Sequence, residues 1–395
     1  LTLTPRQRIV IQREISRLQQ DQSDPERLAE LTTEYQYQGI DTCAGCGLCS
    51  TLCPVGINTG DLTRALRQKN NTSKESQALW LADHLAGVTR AVNTGLATAN
   101  LGRQILGNNA MSKLTKIADK ATKGAVGHWR PSLPKANPWK AKHTVKTQLT
   151  RLPANAPKVV YFPSCTSRTM GTDPDQLDPR PLTQVTCDLL NKAGYEVIFP
   201  AALDSLCCGM PFHSKGFLTV ANNKRSELTN ALLDASNQGE WPILFDTSPC
   251  SSRTNEGLDN RLHCYDSIQF ALEKLVPNLE IQPSNEHLSL HITCSTTRSG
   301  LADKMLTLSQ LISTQVFVPE GISCCGFAGD KGFSQPELNA SALANLKQQL
   351  PTGTRRGISS SRTCEIGLSE HAGIPYQSIL YLLDEVSQPK TQHIK

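Results

Sequence analysis

Aromatic residues make up only 5% of the 395 positions, which argues against a surface on which nucleic-acid bases stack. No apolar run comes near the roughly 18 residues of a membrane-spanning helix, and the first thirty residues are polar and charged, without the apolar segment of a secretory leader. Neither sign of charge is in large excess. The net +5 is spread along the chain; it permits contact with an acidic partner or an anionic membrane face without pointing to nucleic acid. The chain has no glycine-rich phosphate cradle of the G-x-G-x-x-G kind. Order and spacing yield no Ser-His-Asp set and no paired carboxylates. What remains is a chain long enough for two or three domains whose chemistry lies in another residue type.

That residue is cysteine. Fourteen cysteines are too few for a disulfide scaffold at this length, and they are clustered, as metal ligands in a reducing compartment would be. Cys43, Cys46, Cys49 and Cys53, followed by Pro54, form C-x2-C-x2-C-x3-C-P, the bacterial ferredoxin run. Ligands at every third residue wrap a loop around a cuboidal 4Fe-4S cluster, and the small Ala44, Gly45 and Gly47 let backbone N–H groups approach the sulfurs. Zinc is the competing occupant, and the spacing favours iron–sulfur. In two-cluster ferredoxins the cysteine before proline serves the other cluster. Here either Cys53 closes the cluster locally or a distant cysteine does. Cys187 and Cys264 stand outside every motif, and ordinary burial is the simpler reading of both.

Around the run the pattern is helical. Ile9, Val10, Ile15 and Leu18 recur at helical spacing, and Asp24-Pro25 starts a second helix to about Tyr35. Ala78, Leu81, Ala82, Leu85 and Ala86 predict another helix, as do Leu101, Ile105 and Leu106, with a break at Gly107-Asn108-Asn109. This gives N-terminal helices over 1–40, a helical ferredoxin-like domain over 41–123, and a proline-rich linker or irregular arm over 124–157.

From Lys158 the texture becomes alternating strand and helix, written twice. Val159–Phe162 leads to Cys165 and Leu288–Ile292 to Cys294. Second strands at Glu196–Pro200 and Gln315–Pro319 precede Cys207-Cys208-Gly209 and Cys324-Cys325-Gly326. Helices are expected near 217–236 and 336–349. Third strands, Ile243–Asp246 and Gly357–Ser360, end at Cys250 and Cys364, and Tyr265–Phe270 and Tyr376–Tyr381 each open an amphipathic helix. Adjacent cysteines make a strained disulfide but a good pair of metal ligands. The landmarks recur in one order, so a whole module is duplicated. The fold class expected is α/β, with two modules of mainly parallel sheet, at 158–283 and 284–395. The cysteines sit at or after the C-terminal ends of strands, where open parallel sheets bind ligands. Cys165, Cys207, Cys208 and Cys250 are therefore expected to converge on one metal site, and Cys294, Cys324, Cys325 and Cys364 on another. Pseudo-symmetric packing of the modules would bring the two sites near each other.

These stretches carry a family resemblance: YFPSCTSRTMG from Tyr161, LCCGMPFHSKGF from Leu206, DTSPCSSR from Asp246, CCGFAGDKGF from Cys324 and SRTCEIGL from Ser361. Both modules resemble the cysteine-rich "CCG" domains of heterodisulfide reductases, of glycolate and glycerol-3-phosphate dehydrogenase iron–sulfur subunits, and of lactate-utilisation proteins. With the ferredoxin run, residues 40 to 390 most resemble the C-terminal iron–sulfur half of bacterial FAD-linked D-lactate dehydrogenases. The resemblance implies an oxidoreductase relay. A flavin oxidises a 2-hydroxy acid, D-lactate, and electrons pass through iron–sulfur centres to quinone or cytochrome. It implies FAD on an upstream domain or a partner subunit; the start at Leu1 is read as an excised or processed chain. It also implies a cytoplasmic protein, with peripheral contact at the inner face of the membrane. One departure counts against direct disulfide chemistry. The heterodisulfide relative ends each module in C-x-x-C, whereas here Arg253 and Gly367 stand at the final positions, leaving four cysteines per module for a cluster or for zinc. Two alternatives stay open: structural zinc modules that dock a flavoprotein, and a thiol–disulfide oxidoreductase.

Arg168 and Arg298 follow the first cysteine of each copy, and Lys215 and Lys331 follow each Cys-Cys. Cations there would tune a cluster's potential, or else form ordinary surface pairs. His213 is read as a loop histidine, with a substitute ligand or a proton shuttle as the alternative, and His291, in a strand, as a core one.

Overall fold

The computed structural model describes residues 2–121, 129–141, 152–153, 155–174 and 176–390. Its N-terminal region is helical for reasons visible in the sequence. Thr4 and Gln7 form a reciprocal capping box ahead of the helix Pro5–Asp21, satisfying N–H groups that a helix start leaves free. Asp24 accepts from the Arg27 N–H at 3.1 Å and opens Pro25–Tyr35. Ile15, Tyr35 and Ile40 pack against Leu66, which closes this pair of helices onto a third, Thr59–Asn71. The ferredoxin-type run lies between, as loop and one short turn, Leu48–Leu52. Glu75–Asp83 and Leu85–Ala121 follow, and the latter breaks at Gly107, whose φ is 77°. No described helix is long and apolar enough to cross a membrane.

Part of the expected arm (124–128, 142–151 and 154), with the last two residues of the expected helical domain (122–123), lies outside the described residues. The rest is irregular and anchored. Arg130 donates to Glu370 at 2.8 Å and to the Gly332 carbonyl. Asn137, buried, donates to the carbonyl of Ser167.

The first sheet comprises β1 (Lys158–Phe162), β2 (Glu196–Ile198), β3 (Ile243–Phe245) and β4 (Cys264–Asp266), all parallel, in the order β2-β1-β3-β4. A short β5 (Leu279–Ile281) leads into the second. That sheet comprises β6 (Ser284–Leu290), β7 (Ser313–Phe317), β8 (Arg356–Ser359) and β9 (Tyr376–Ser378), again all parallel, in the order β7-β6-β8-β9. The last strand, β10 (Ser387–Pro389), returns antiparallel to β5. The central strands β1 and β3 are apolar runs without alternation, as strands buried on both faces must be. The expected α/β duplication with parallel sheets is present.

Three local readings are corrected. β4 and β9 are short fourth strands where the sequence pattern indicated only a helix start. Each is three residues long, too short to show a period, and each ends in the residue that caps the next helix, Asp266 or Ser378. The helix expected at 336–349 is divided into Pro336–Ala342 and Leu346–Gln349. β5 and β10 carry no strand signal.

The repeats pack about a pseudo-twofold. Leu182–Lys192 of the first lies on Ile379–Glu385 of the second, and the equivalent Ala302–Ile312 lies on Ser267–Phe270. One apolar cluster runs through both, from Val159 and Leu189 to Ile312 and Leu383. The Ser248 N–H donates to the Ser360 carbonyl at 3.1 Å, and the Thr296 hydroxyl to Ser248 Oγ at 3.1 Å. These bonds join the C-terminal edges of the two sheets directly.

Candidate functional site

Strand ends place the outer cysteines of each group. In the first repeat β1 delivers Cys165 to the start of Cys165–Thr169, capped by Ser164. β3 delivers Cys250 into the first turn of Ser248–Asn255. In the second, Cys294 opens Cys294–Arg298 under a Thr293 cap, and Cys364 sits in the first turn of Arg362–Ala372. Unpaired N–H groups at a helix start favour a thiolate.

The Cys-Cys-Gly turns have a steric cause. Gly209 has φ 83°, and a Cβ there would meet the Ala221 carbonyl oxygen at 2.2 Å. Gly326 has φ 69°, and a Cβ would meet the Leu338 carbonyl oxygen at 2.5 Å. Only glycine admits both the left-handed turn and the close pass of the following helix. The glycine N–H groups then donate to Cys207 Sγ and Cys324 Sγ, each at 3.4 Å.

The sulfurs form two rows. Cys165, Cys207, Cys208 and Cys250 are linked successively, with Cys208 donating to Cys250 at 3.3 Å. Cys294, Cys324, Cys325 and Cys364 repeat the arrangement, with Cys325 donating to Cys364 at 3.1 Å. Hydrogen bonds within each row set the acidities. Cys165 is held well above the usual thiol range by donating to Cys207, with burial second. Cys207 gains from accepting that bond, yet its own bond to Cys208 and burial carry it up to about 12. Cys324 is lowered, first because of its interaction with Cys294.

Both rows open on one cavity of about 350 Å³, lined by Cys165 and Cys250 from the first and by Cys294, Cys324, Cys325 and Cys364 from the second. Cys207 and Cys208 lie behind, 2% and 1% exposed. The two groups of four expected from sequence are thus each brought together, and they face each other across a shared space.

The N-terminal run reaches the same cavity through Ala44, Gly45 and Cys46. Its cysteines are dispersed in their contacts. Cys43 is buried and accepts from the Gly45 N–H at 3.4 Å; Cys49 accepts from the Thr59 N–H at 3.3 Å; Cys46 lies beside Cys324 on the cavity. Cys187 is core, fully buried among Val185 and Leu189, and Cys264 packs beside the first row in β4.

The flanking cations are mostly braces. Arg168 donates to the carbonyls of Leu203 and Leu206, fixing the approach to Cys207. Lys215 pairs with Asp330 across the two Cys-Cys-Gly turns at the surface. Lys331 donates to the Asp41 carbonyl, and burial lowers it to about 8. His213 lines the cavity and is held neutral, at about 4, by burial and then by Arg253 and Arg64. His291 is a core residue, as expected.

Sequence reasoning gave no role to Arg67, Asp246 or Glu365. Arg67 donates to the carbonyls of Ile40, Cys43 and Ser214, each at 2.7 Å, so it ties the run to the first repeat. Asp246, buried, accepts from Tyr161 Oη at 2.8 Å and from the Ser164 N–H at 3.0 Å, fixing Cys165 relative to Cys250. Its carboxyl is raised by burial. Glu365 forms a buried ion pair with Arg362 at 2.9 Å. Only Arg67 left a signal: Arg64 and Arg67 sit three apart on the helix that follows the run.

Comparison with known proteins meets this geometry at the repeats. The CCG cysteine-rich domain family matches the chain twice, at residues 159–247 and 288–369. Those stretches run from within β1 to past β3 and from the end of β6 to past β8, and hold seven of the eight row cysteines; Cys250 lies just beyond the first. The chain is also similar to lactate utilization protein A of Oceanobacillus iheyensis, 26% identical over 207 residues, which span 49% of this chain and 80% of that protein.

The donor set fits an iron–sulfur group better than a lone ion. Four thiolates around zinc stand about 2.3 Å from one centre. Among the described residues no three Cys, His, Asp or Glu side chains have the arrangement that holds a single metal ion. Thiols strung along a cavity wall, with amide N–H groups aimed at sulfur, suit a larger cluster.

Proposed function

We propose that this chain is the iron–sulfur electron-transfer part of a flavin-dependent 2-hydroxy-acid dehydrogenase, with D-lactate as the substrate class. The observation that carries this is the meeting of two thiol rows and a ferredoxin-type run on one cavity. The similarity to a lactate utilization protein supports the substrate. Bound clusters would supply one-electron redox chemistry. The run (Cys43, Cys46, Cys49, Cys53), in a ferredoxin-like helical domain, would hold a 4Fe-4S cluster, and each row would hold a further one. The residues around them position and insulate. Gly209 and Gly326 bring amide donors to sulfur, Arg168 and Asp246 fix the first row, and the apolar core behind Cys207 and Cys208 keeps water out. FAD would sit on an upstream domain or partner subunit, and quinone or cytochrome would accept the electrons at a peripheral membrane contact.

Anaerobic reconstitution followed by iron and acid-labile sulfide assays tests the reading. Iron and sulfide in several-fold excess over protein are expected, together with visible absorbance that D-lactate and the flavoprotein bleach. A chain that takes up zinc and excludes iron would leave a structural docking module in its place.

A further inference from the structure

The second row of thiols does not end at Cys294. Cys46, from the N-terminal run, lies beside Cys324 and lines the same cavity as Cys294, Cys325 and Cys364. Cys324 therefore has thiol neighbours on two separate segments, Cys294 and Cys46. Among the described residues the first row has no such partner: its thiol contacts run among Cys165, Cys207, Cys208 and Cys250, and Cys264, packed beside it, interacts with none of them.

Several independent contacts hold Cys46 there. A Cβ at the neighbouring Gly47, φ 74°, would stand 2.9 Å from Arg298 Nε, so glycine at that position lets the helix Cys294–Arg298 close on the run. Arg64 donates to the Gly45 carbonyl at 3.2 Å. Arg67 holds the Cys43 carbonyl from one side, and Lys331 holds that of Asp41 from the other. The loop is clamped on both flanks of Cys46, while Cys43 and Cys49 are turned to their own amide donors.

We propose that Cys46 is the fifth thiol of the second repeat's cofactor site, which makes the two repeats chemically unequal: five thiols in the second, four in the first. The assignment rests on the reading above for the identity of the group, an iron–sulfur cluster, and amends that reading at one residue. It also joins the run to the second repeat, so an electron arriving at either has a direct thiol contact to the other.

The test separates geometry from cofactor. In the whole chain carrying Cys43→Ser, Cys49→Ser and Cys53→Ser, Cys46 is the run's only thiol. Freed of metal, reduced, then treated with diamide and digested with trypsin, it should yield residues 28–64 joined to 305–331, the peptide of Cys324 and Cys325. Adding Cys46→Ser should abolish the product. No joined peptide from a chain that melts like the parent overturns the proposal. Single variants of the reconstituted chain give a second measurement, independent of whether the triple variant folds. By electron paramagnetic resonance, Cys46→Ser should shift the signal that Cys364→Ser shifts and retain the one that Cys49→Ser removes. If Cys46→Ser instead removes the Cys49 signal and spares the Cys364 one, Cys46 belongs to the run alone. A joined peptide in a chain that binds no iron would keep the five-thiol site and remove the electron-transfer reading.

Discussion

Replacing Gly209 by alanine probes why the Cys-Cys pair is followed by glycine. The alanine must adopt φ 83° with its Cβ 2.2 Å from the Ala221 carbonyl oxygen. The left-handed backbone costs about 1–2 kcal/mol, and forcing the helix Leu218–Ala235 away costs a further ~1–3 kcal/mol, as for other overpacked sites. The total, about 2–5 kcal/mol, corresponds to a fall in melting temperature of roughly 5–15 °C for a unit of 150–250 residues. Gly56→Ala is the control. Its φ is 69°, and nothing lies within 4 Å of the added carbon, so it meets only the backbone term, about 1–2 kcal/mol and a few degrees. Both variants are melted metal-free under reductant, so that altered cofactor binding does not enter. If Gly209→Ala melts with Gly56→Ala, the close pass of the helix is not what requires glycine. Gly326→Ala, with 2.5 Å to the Leu338 carbonyl oxygen, should fall between the two.

Arg67→Met keeps volume but strands three carbonyls, and should cost roughly 4.5–9 kcal/mol, since hydrogen bonds to a charged group are worth ~1.5–3 kcal/mol each. Limited proteolysis should then cut the N-terminal helices first, and equal resistance to the parent would refute the bracing role. Arg362→Met leaves Glu365 buried and unpaired and should cost about 3–5 kcal/mol in urea unfolding, with Arg362→Met/Glu365→Leu recovering most of it; failure to recover would mean that the Arg362 bond to the Gly171 carbonyl (2.7 Å) dominates. Lys215→Ala should change the melting temperature by less than the two variants above, because an exposed pair contributes only ~0–1 kcal/mol. His291 is fully buried and held neutral at about 4, against an ordinary histidine value of 6.5, by burial. Its unfolded state therefore takes up a proton first as pH falls. The stability it contributes is complete above pH 6.5 and is lost towards pH 4, by at most about 3 kcal/mol. Metal-free His291→Gln should show a flatter stability curve over that window, and an unchanged slope would point to other groups.

Much of this was legible in order and spacing. The duplicated strands, the break at Gly107, the Asp24 cap and the membership of both thiol rows all rest on local patterns: apolar runs, positive-φ residues, caps and cysteine spacing. Apart from the Arg64–Arg67 spacing, what was missed had no local signal. β4 and β9 are too short to show a period. Asp246 reads as no more than a strand end until Tyr161, 85 positions earlier, is folded beside it. Arg67 looks like one more charge on a helix until three carbonyls from three segments close on it.

The sequence by itself determined which cysteines are grouped. Each row is built from strand ends whose positions the hydrophobic pattern sets, and a parallel sheet carries all such ends to one edge. Tertiary structure alone decided that the two edges face one cavity, and that Cys46 of the run comes beside Cys324 there. Those outcomes depend on how the helices Leu182–Lys192 and Ala302–Ile312 dock across the pseudo-twofold, and on Arg298 closing over Gly47. Both are contacts between segments far apart in the chain, which no local spacing encodes.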